Sequence, residues 1–351
     1  MKRMKATPWC SCSHPHPENP FVHLLSSLKA LAPGVALGAV VALAASFVAS
    51  TYGGPHLLYA LFFGLGFHFL SRNRKCRPGI EFSSKTLLRT GVALLGVKIS
   101  AVQVIALGWQ TLAVAILVVP VTIGFGLLLA RILRRTTVEG VISASSVGIC
   151  GASAALAVAA ALPQSKENER FTLLTVIGVT SLSTLAMIVY PLIVTILELD
   201  PTAAGIFIGG TIHDVAQVVG AGYLISPHTG DTATLVKLTR VACLVPVVLL
   251  VSAIFKVPGN DADDSKMPLP MPTFLLGFVI LVGANSLNII PPVAVEWAAT
   301  ASRYCLVIAI AALGIKTSLG SLRSLGWAPL VMLLADTLWI ATIVLAVILF
   351  A

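Results

Sequence analysis

Two glycine-rich stretches hold the residues best suited to chemistry. In Gly209-Gly-Thr-Ile-His-Asp-Val-Ala-Gln-Val-Val-Gly-Ala-Gly222, His213 and Asp214 are adjacent, and Gln217 lies one helical turn beyond His213 on the same face. Ser143-Ala-Ser-Ser-Val-Gly-Ile-Cys-Gly-Ala-Ser-Ala-Ala-Leu156 brings together Ser146, Cys150, Gly151 and Ser153. A neighbouring acid and imidazole can take up and release a proton as a coupled pair, or help coordinate a cation. The hydroxyls of Ser146, Ser153 and Thr211, joined by free backbone N–H groups, are ligands for a small anion. Lys237 and Arg240, three residues apart and so on one helical face, either supply counter-charge to that anion or snorkel to an interface.

Each feature has a plainer reading. Small residues such as Gly148, Ala152 and Ala155 are what any tightly packed membrane helix uses. His213 and Asp214 resist that reading, because a charge in mid-span costs at least ~2.5–3.5 kcal/mol on insertion scales. A membrane-embedded hydrolase would take Cys150 or Ser153 as nucleophile and His213 as base. It lacks a GxSxG or HExxH motif, and no GxxxxGK[ST] loop for ATP is present either. Cys10, Cys12, His14 and His16 match no structural zinc spacing, so neither a metal nor a cofactor is expected. Asp336 is a further ionisable residue within an apolar segment, with no partner assignable from sequence.

The elements that must position these groups follow from composition. With 57% hydrophobic and 11% charged residues over 351 positions, the chain cannot cover a water-facing surface. An all-α polytopic membrane protein of about 10–11 transmembrane helices is expected. The apolar segments run near Leu31–Thr51, Pro55–Leu70, Phe82–Ser100, Ile105–Arg134, Val138–Leu162, Phe171–Leu197, Thr202–Ile225, Ala233–Phe255, Met271–Leu287, Val293–Lys316 and Leu325–Phe350. Residues 1–30 read as a basic, disordered cytoplasmic tail, and 31–351 as a single transmembrane domain. Basic residues in the tail and in Ser71–Arg77 place the N-terminus inside and, by alternation, the C-terminus outside. The acidic connection Glu198–Pro201 fits that alternation poorly, because the count puts it inside.

The chain also repeats itself. Leu95-Gly-Val-Lys-Ile-Ser100 with Leu107-Gly-Trp109 aligns on Leu313-Gly-Ile-Lys-Thr-Ser318 with Leu325-Gly-Trp327, at a constant offset of 314 − 96 = 218. The copies, near 55–134 and 273–351, are separated by an odd number of crossings, which is the inverted-repeat pattern of secondary carriers. Between them lie 138–162 and 202–225, read as discontinuous core helices.

LLRTGVALLG at Leu87–Gly96, GICGASA at Gly148–Ala154, GGTIHDVAQVVGAG at Gly209–Gly222 and ALGIKTSL at Ala312–Leu319 together resemble the YeiH-type family of bacterial inner-membrane proteins. That family's role as sulfate exporters is inferred. The resemblance implies a secondary transporter of a small anion in the inner membrane, proton- or ion-coupled, with a gated anion channel as the alternative. The partners implied are the anion and the lipid bilayer, with no nucleic acid and a homodimer left open. The family is similar to the bile-acid/sodium symporter and sodium/proton antiporter superfamily, whose broken helices cross antiparallel. The eleven-segment reading makes 138–162 and 202–225 parallel, so one segment is re-entrant or a span is miscounted.

Overall fold

The computed structural model describes residues 20–52, 56–100, 102, 105, 107–163, 165–255, 273–317 and 327–350, and among these every regular element is a helix. Cys10, Cys12, His14, His16 and the connection Lys256–Lys266 lie outside them. Helix α1 (Pro20–Tyr52) starts eleven residues before the predicted edge of the tail, since 31 − 20 = 11. It is followed by α2 (His56–Gly66) and an irregular helix. This last is built from α3 (Arg77–Phe82), a π-turn (Ser83–Leu87), α4 (Leu88–Leu95) and a 3₁₀ turn (Gly96–Lys98). Next come α5 (Gly108–Ile132), α6 (Thr137–Gly148), α7 (Ala152–Ala160), α8 (Lys166–Ile196), α9 (Pro201–Thr211) and α10 (Val215–Ile225). The chain ends with α11 (Pro227–Ala242), α12 (Leu244–Ile254), α13 (Thr273–Ser286), α14 (Pro292–Lys316) and α15 (Trp327–Phe350). Among the described residues six apolar helical stretches, α11 and α12 counting as one, are long enough to cross a bilayer, so the protein is a multi-pass membrane protein.

The 218-residue offset governs helix boundaries as well as motifs. Shifting α2 by 218 gives 274–284, within α13; shifting 77–98 gives 295–316, within α14; and α5 becomes 326–350, which is α15 to within one residue. Gly91 meets Cys305 and Leu306 and accepts a hydrogen bond from Ser302, while Lys316 has Arg77, Glu81 and Lys85 of that helix, together with Asp214, among its charged neighbours. Helix α4 therefore runs antiparallel to its equivalent α14. The glycines of the repeat motif serve the same purpose in both copies. Gly96 abuts the backbone of Phe278 on α13 and Gly314 abuts the backbone of Leu61 on α2, where a side chain would hold the helices apart. Equivalent helices running in opposite directions make this an inverted repeat.

The segment 202–225 enters and leaves at one face. Helix α9 runs beside the first half of α11, with Gly205 against Thr229 and Thr232 and Gly209 against Ala233 and Val236. Helix α10 returns along the same stretch, with Gly222 against Thr229 and Gly230. Absent side chains let both arms approach α11 closely. Capping agrees, since Asp200 accepts from the N–H groups of Thr202 and Ala203, and Ser226 from Thr229, each just before a proline that starts a helix.

The segment 138–162 does the same from the opposite face. Helix α5 starts beside the entry of α9, because Leu107 lines a cavity with Thr202 and His228. It ends one helix length away, at Arg131–Arg135. Helix α6 starts there under a Thr136/Glu139 capping box, and α7 leads through a short turn into α8. Helix α8 begins at that same face, since its Ser183 lies level with Asp214 and its Tyr190 packs on Phe207 nearer the far side.

All eleven apolar segments are thus helical. Among the described residues nine traverse the bundle, while α6/α7 and α9/α10 are hairpins that turn back at its centre. Both segments are re-entrant, so they lie antiparallel as crossed elements from opposite faces must. The acidic connection Glu198–Pro201 moves to the face opposite the basic loops, which removes its conflict with the charge rule. In intact membranes, cysteines introduced at Arg134 and Glu167 are expected to react with an impermeant maleimide from one side, and one at Leu197 from the other. Labelling of positions 134 and 167 from opposite sides would make α6/α7 a crossing segment.

Candidate functional site at the hairpin tips

Each tip is a short non-helical interruption. At the first, Ile149 has φ −110°, ψ −83° and Gly151 has φ +68°, ψ −130°, a conformation open essentially to glycine. At the second, Ile212 and Asp214 are extended, with φ −62°, ψ 140° and φ −103°, ψ 144°. The tips touch: a Cβ on Gly151 would lie 3.7 Å from Asp214 Cβ.

Where α6 and α9 stop, their last carbonyls lose helical partners and their dipoles converge, each equivalent to about half a negative charge. Helix α11 answers with two fully buried basic side chains. Lys237 Nζ donates to Ile149 O at 2.6 Å and to Ile212 O at 2.9 Å. Arg240 Nε donates to Gly148 O at 2.9 Å. Its Nη1 reaches Gly209 O at 2.9 Å and Ile212 O at 3.4 Å, and its Nη2 reaches Val147 O at 2.9 Å and Gly148 O at 2.7 Å. Neither residue snorkels, and neither is hydrogen-bonded to the acidic residues.

His213 is fully buried, and its Nε2 lies 3.0 Å from Thr337 Oγ1. The Thr337 hydroxyl proton is committed to Leu333 O at 2.6 Å, so Nε2 is the donor in this pair, while Nδ1 makes no well-formed hydrogen bond among the described residues. Asp214 stays partly accessible at the rim, and its N–H donates to Ser183 Oγ at 3.1 Å. Gln217 is buried, donates to Thr184 Oγ1 at 3.4 Å and leaves its Oε1 unpartnered. Among the described residues Asp336 pairs with no cation: Ser143 Oγ donates to its Oδ2 at 2.6 Å and Oδ1 is unpartnered.

The small hydroxyl residues divide. Ser146 and Thr211 are buried and donate back to Ser143 O and Phe207 O within their own helices. Ser153 is exposed and donates to Cys150 O at 3.0 Å, with Cys150 Sγ at 3.1 Å. Among the described residues no hydrogen bond joins Cys150 or Ser153 to His213, so the arrangement shows no nucleophile–base pair. Lys98 and Lys316, equivalent in the repeat, are exposed; Lys98 lies 5.9 Å above the Tyr223 ring, and Tyr223 in turn donates to Asp231.

The structure therefore gathers Cys150, Gly151, His213, Asp214, Gln217, Lys237 and Arg240 around two abutting tips. It adds Ser183, Thr184 and Thr337, which motif reading missed. The one signal for the first two is the hydroxyl-rich run Thr180-Ser-Leu-Ser-Thr184 in an otherwise apolar span.

The chain matches the model of the family described as conserved hypothetical protein 698 over residues 33–333. It is 49% identical to a UPF0324 membrane protein of Chlorobaculum tepidum over 89% of this chain and 88% of that one. The UPF0324 membrane protein TauZ of Paracoccus pantotrophus is 46% identical over 90% of this chain and 94% of its own. One from Rhizobium meliloti is 47% identical over 91% and 93%. No solved structure matches the chain. This protein belongs to the conserved hypothetical protein 698 family of UPF0324, YeiH-type membrane proteins.

Proposed function

We propose that this family member is a secondary carrier of a small anion, with sulfate or a related sulfur oxyanion as the substrate class, driven by a proton or ion gradient. One observation carries the reading: two re-entrant hairpins enter from opposite faces of an inverted repeat, and their tips meet over buried basic side chains. A pore has no need of that symmetry, whereas a carrier uses it to offer one site to two sides in turn. The starts of α7 and α10 carry N–H groups without helical acceptors, and Ser153 stands at the accessible rim. Lys237 and Arg240 beneath the tips supply positive potential, and His213 with Asp214 handles the coupling proton.

Purified protein in liposomes is expected to catalyse counterflow of labelled sulfate, sulfite or a small sulfonate, with a rate that responds to an imposed pH gradient. Single-channel currents in a planar bilayer would instead make it a gated channel. No flux of any of these anions would remove the substrate assignment.

A further inference from the structure

We propose that Arg240 is a positioning residue that fastens the two hairpin tips to each other and to α11, and that it is not a ligand of the transported anion. A guanidinium has five N–H donors. All five are engaged here, on Val147 O and Gly148 O of the first tip and Gly209 O and Ile212 O of the second. None is left for a solute. The acceptors are orphaned last carbonyls of α6 and α9 and, in Ile212 O, the residue just beyond α9; the two helices enter from opposite faces, so the bonds bridge chain segments that nothing in the sequence joins. Lys237 bridges the same tips through Ile149 O and Ile212 O with two bonds, and so leaves one ammonium hydrogen uncommitted.

Parting the tips would strip several buried carbonyls at once. Hence the two tips and α11 are held together as one unit. Lysine cannot substitute, because its three donors radiate from one point and do not span a fork-shaped set of acceptors. The kinetic consequence rests on the carrier reading. The structural claim is testable without any substrate.

The test uses Cys150, which is buried between the tips. In full-length protein in liposomes, with the other five cysteines replaced by alanine, labelling of Cys150 by a permeant maleimide is followed in Arg240→Gln and Arg240→Lys. A parallel set with Cys150→Ser carries Ala60→Cys, a fully buried reporter on α2. The expected result is about a tenfold or greater rise in Cys150 labelling for Arg240→Gln, through local opening, and a smaller rise for Arg240→Lys. The α2 reporter is expected to stay protected in both. Unchanged Cys150 labelling in both variants would overturn the proposal. Unmasking of both reporters together in both variants would also overturn it, since Arg240 would then be a general stability residue. In flux assays Arg240→Lys is expected to lower kcat about tenfold with KM nearly unchanged, whereas loss of a direct ligand would raise KM.

Discussion

Asp214→Asn is expected to abolish the pH dependence of anion flux while leaving the protein folded and membrane-inserted. Asn keeps the size and most of the hydrogen bonding of Asp but does not ionise. The carboxyl group sits at the rim where the tips touch, partly accessible, beside Gly151 and at the start of α10. An anion bound there and an ionised Asp214 repel each other, so arrival of one is linked to neutralisation of the other, and the linkage is reciprocal. Removing the ionisable group removes the linkage. His213→Ala is expected to weaken or uncouple flux as well, because it empties the donor position on Thr337 and the buried ring beneath the tip. The measurement is initial flux in liposomes at a series of pH values. If both variants carry the anion at wild-type rates with the wild-type pH profile, the pair is structural, and coupling should be sought at Asp336, a fully buried acid whose hydrogen-bond partner is Ser143.

Gly151→Ala is expected to cost about 1–3 kcal/mol of tip stability, the usual range for one residue forced into a sparsely populated backbone region. Space is not the obstacle. The nearest atoms to an added Cβ, on His213 and Asp214, are 3.7 Å away, an ordinary contact. The obstacle is φ +68° with ψ −130°, so even the smallest side chain strains the junction between the tip and its C-terminal arm α7. A coupling of that size corresponds to roughly 5–150-fold in population, so flux should fall by at least the lower figure. Gly124→Ala is the control: it lies within α5 with no atom within 4 Å of an added Cβ, and alanine there is neutral or helix-favouring. Thermal unfolding in detergent and flux in liposomes check both. A Gly151→Ala protein as stable and active as the Gly124→Ala control would show that the tip conformation is not required.

Much of this architecture was legible one-dimensionally. Hydropathy found the apolar segments because a bilayer selects for length and composition, which a sliding window measures directly. The 218-residue offset placed α13–α15 on α2–α5 because the same packing problem, a helix crossing through Gly96 or Gly314, recurs in both copies. The glycine-rich stretches marked the breaks, since small residues in mid-span signal either close approach or interruption.

Three features were decided by tertiary structure alone. Two half-helices of about a dozen residues have the hydropathy of one full span, so nothing local distinguishes crossing from turning back; only the glycine contacts of α9 and α10 on α11 do. The bonding of Lys237 and Arg240 was equally hidden, because their acceptors are backbone carbonyls, which every residue possesses and no motif records. Asp336 met a serine from α6 rather than a cation for the same reason: its partner lies 193 positions away and is common in kind. Composition and periodicity thus determined which segments are helical and where they break. Which broken ends meet, and which charges close them, was set by long-range packing around α11, where buried donors and orphaned carbonyls must satisfy one another because lipid offers neither.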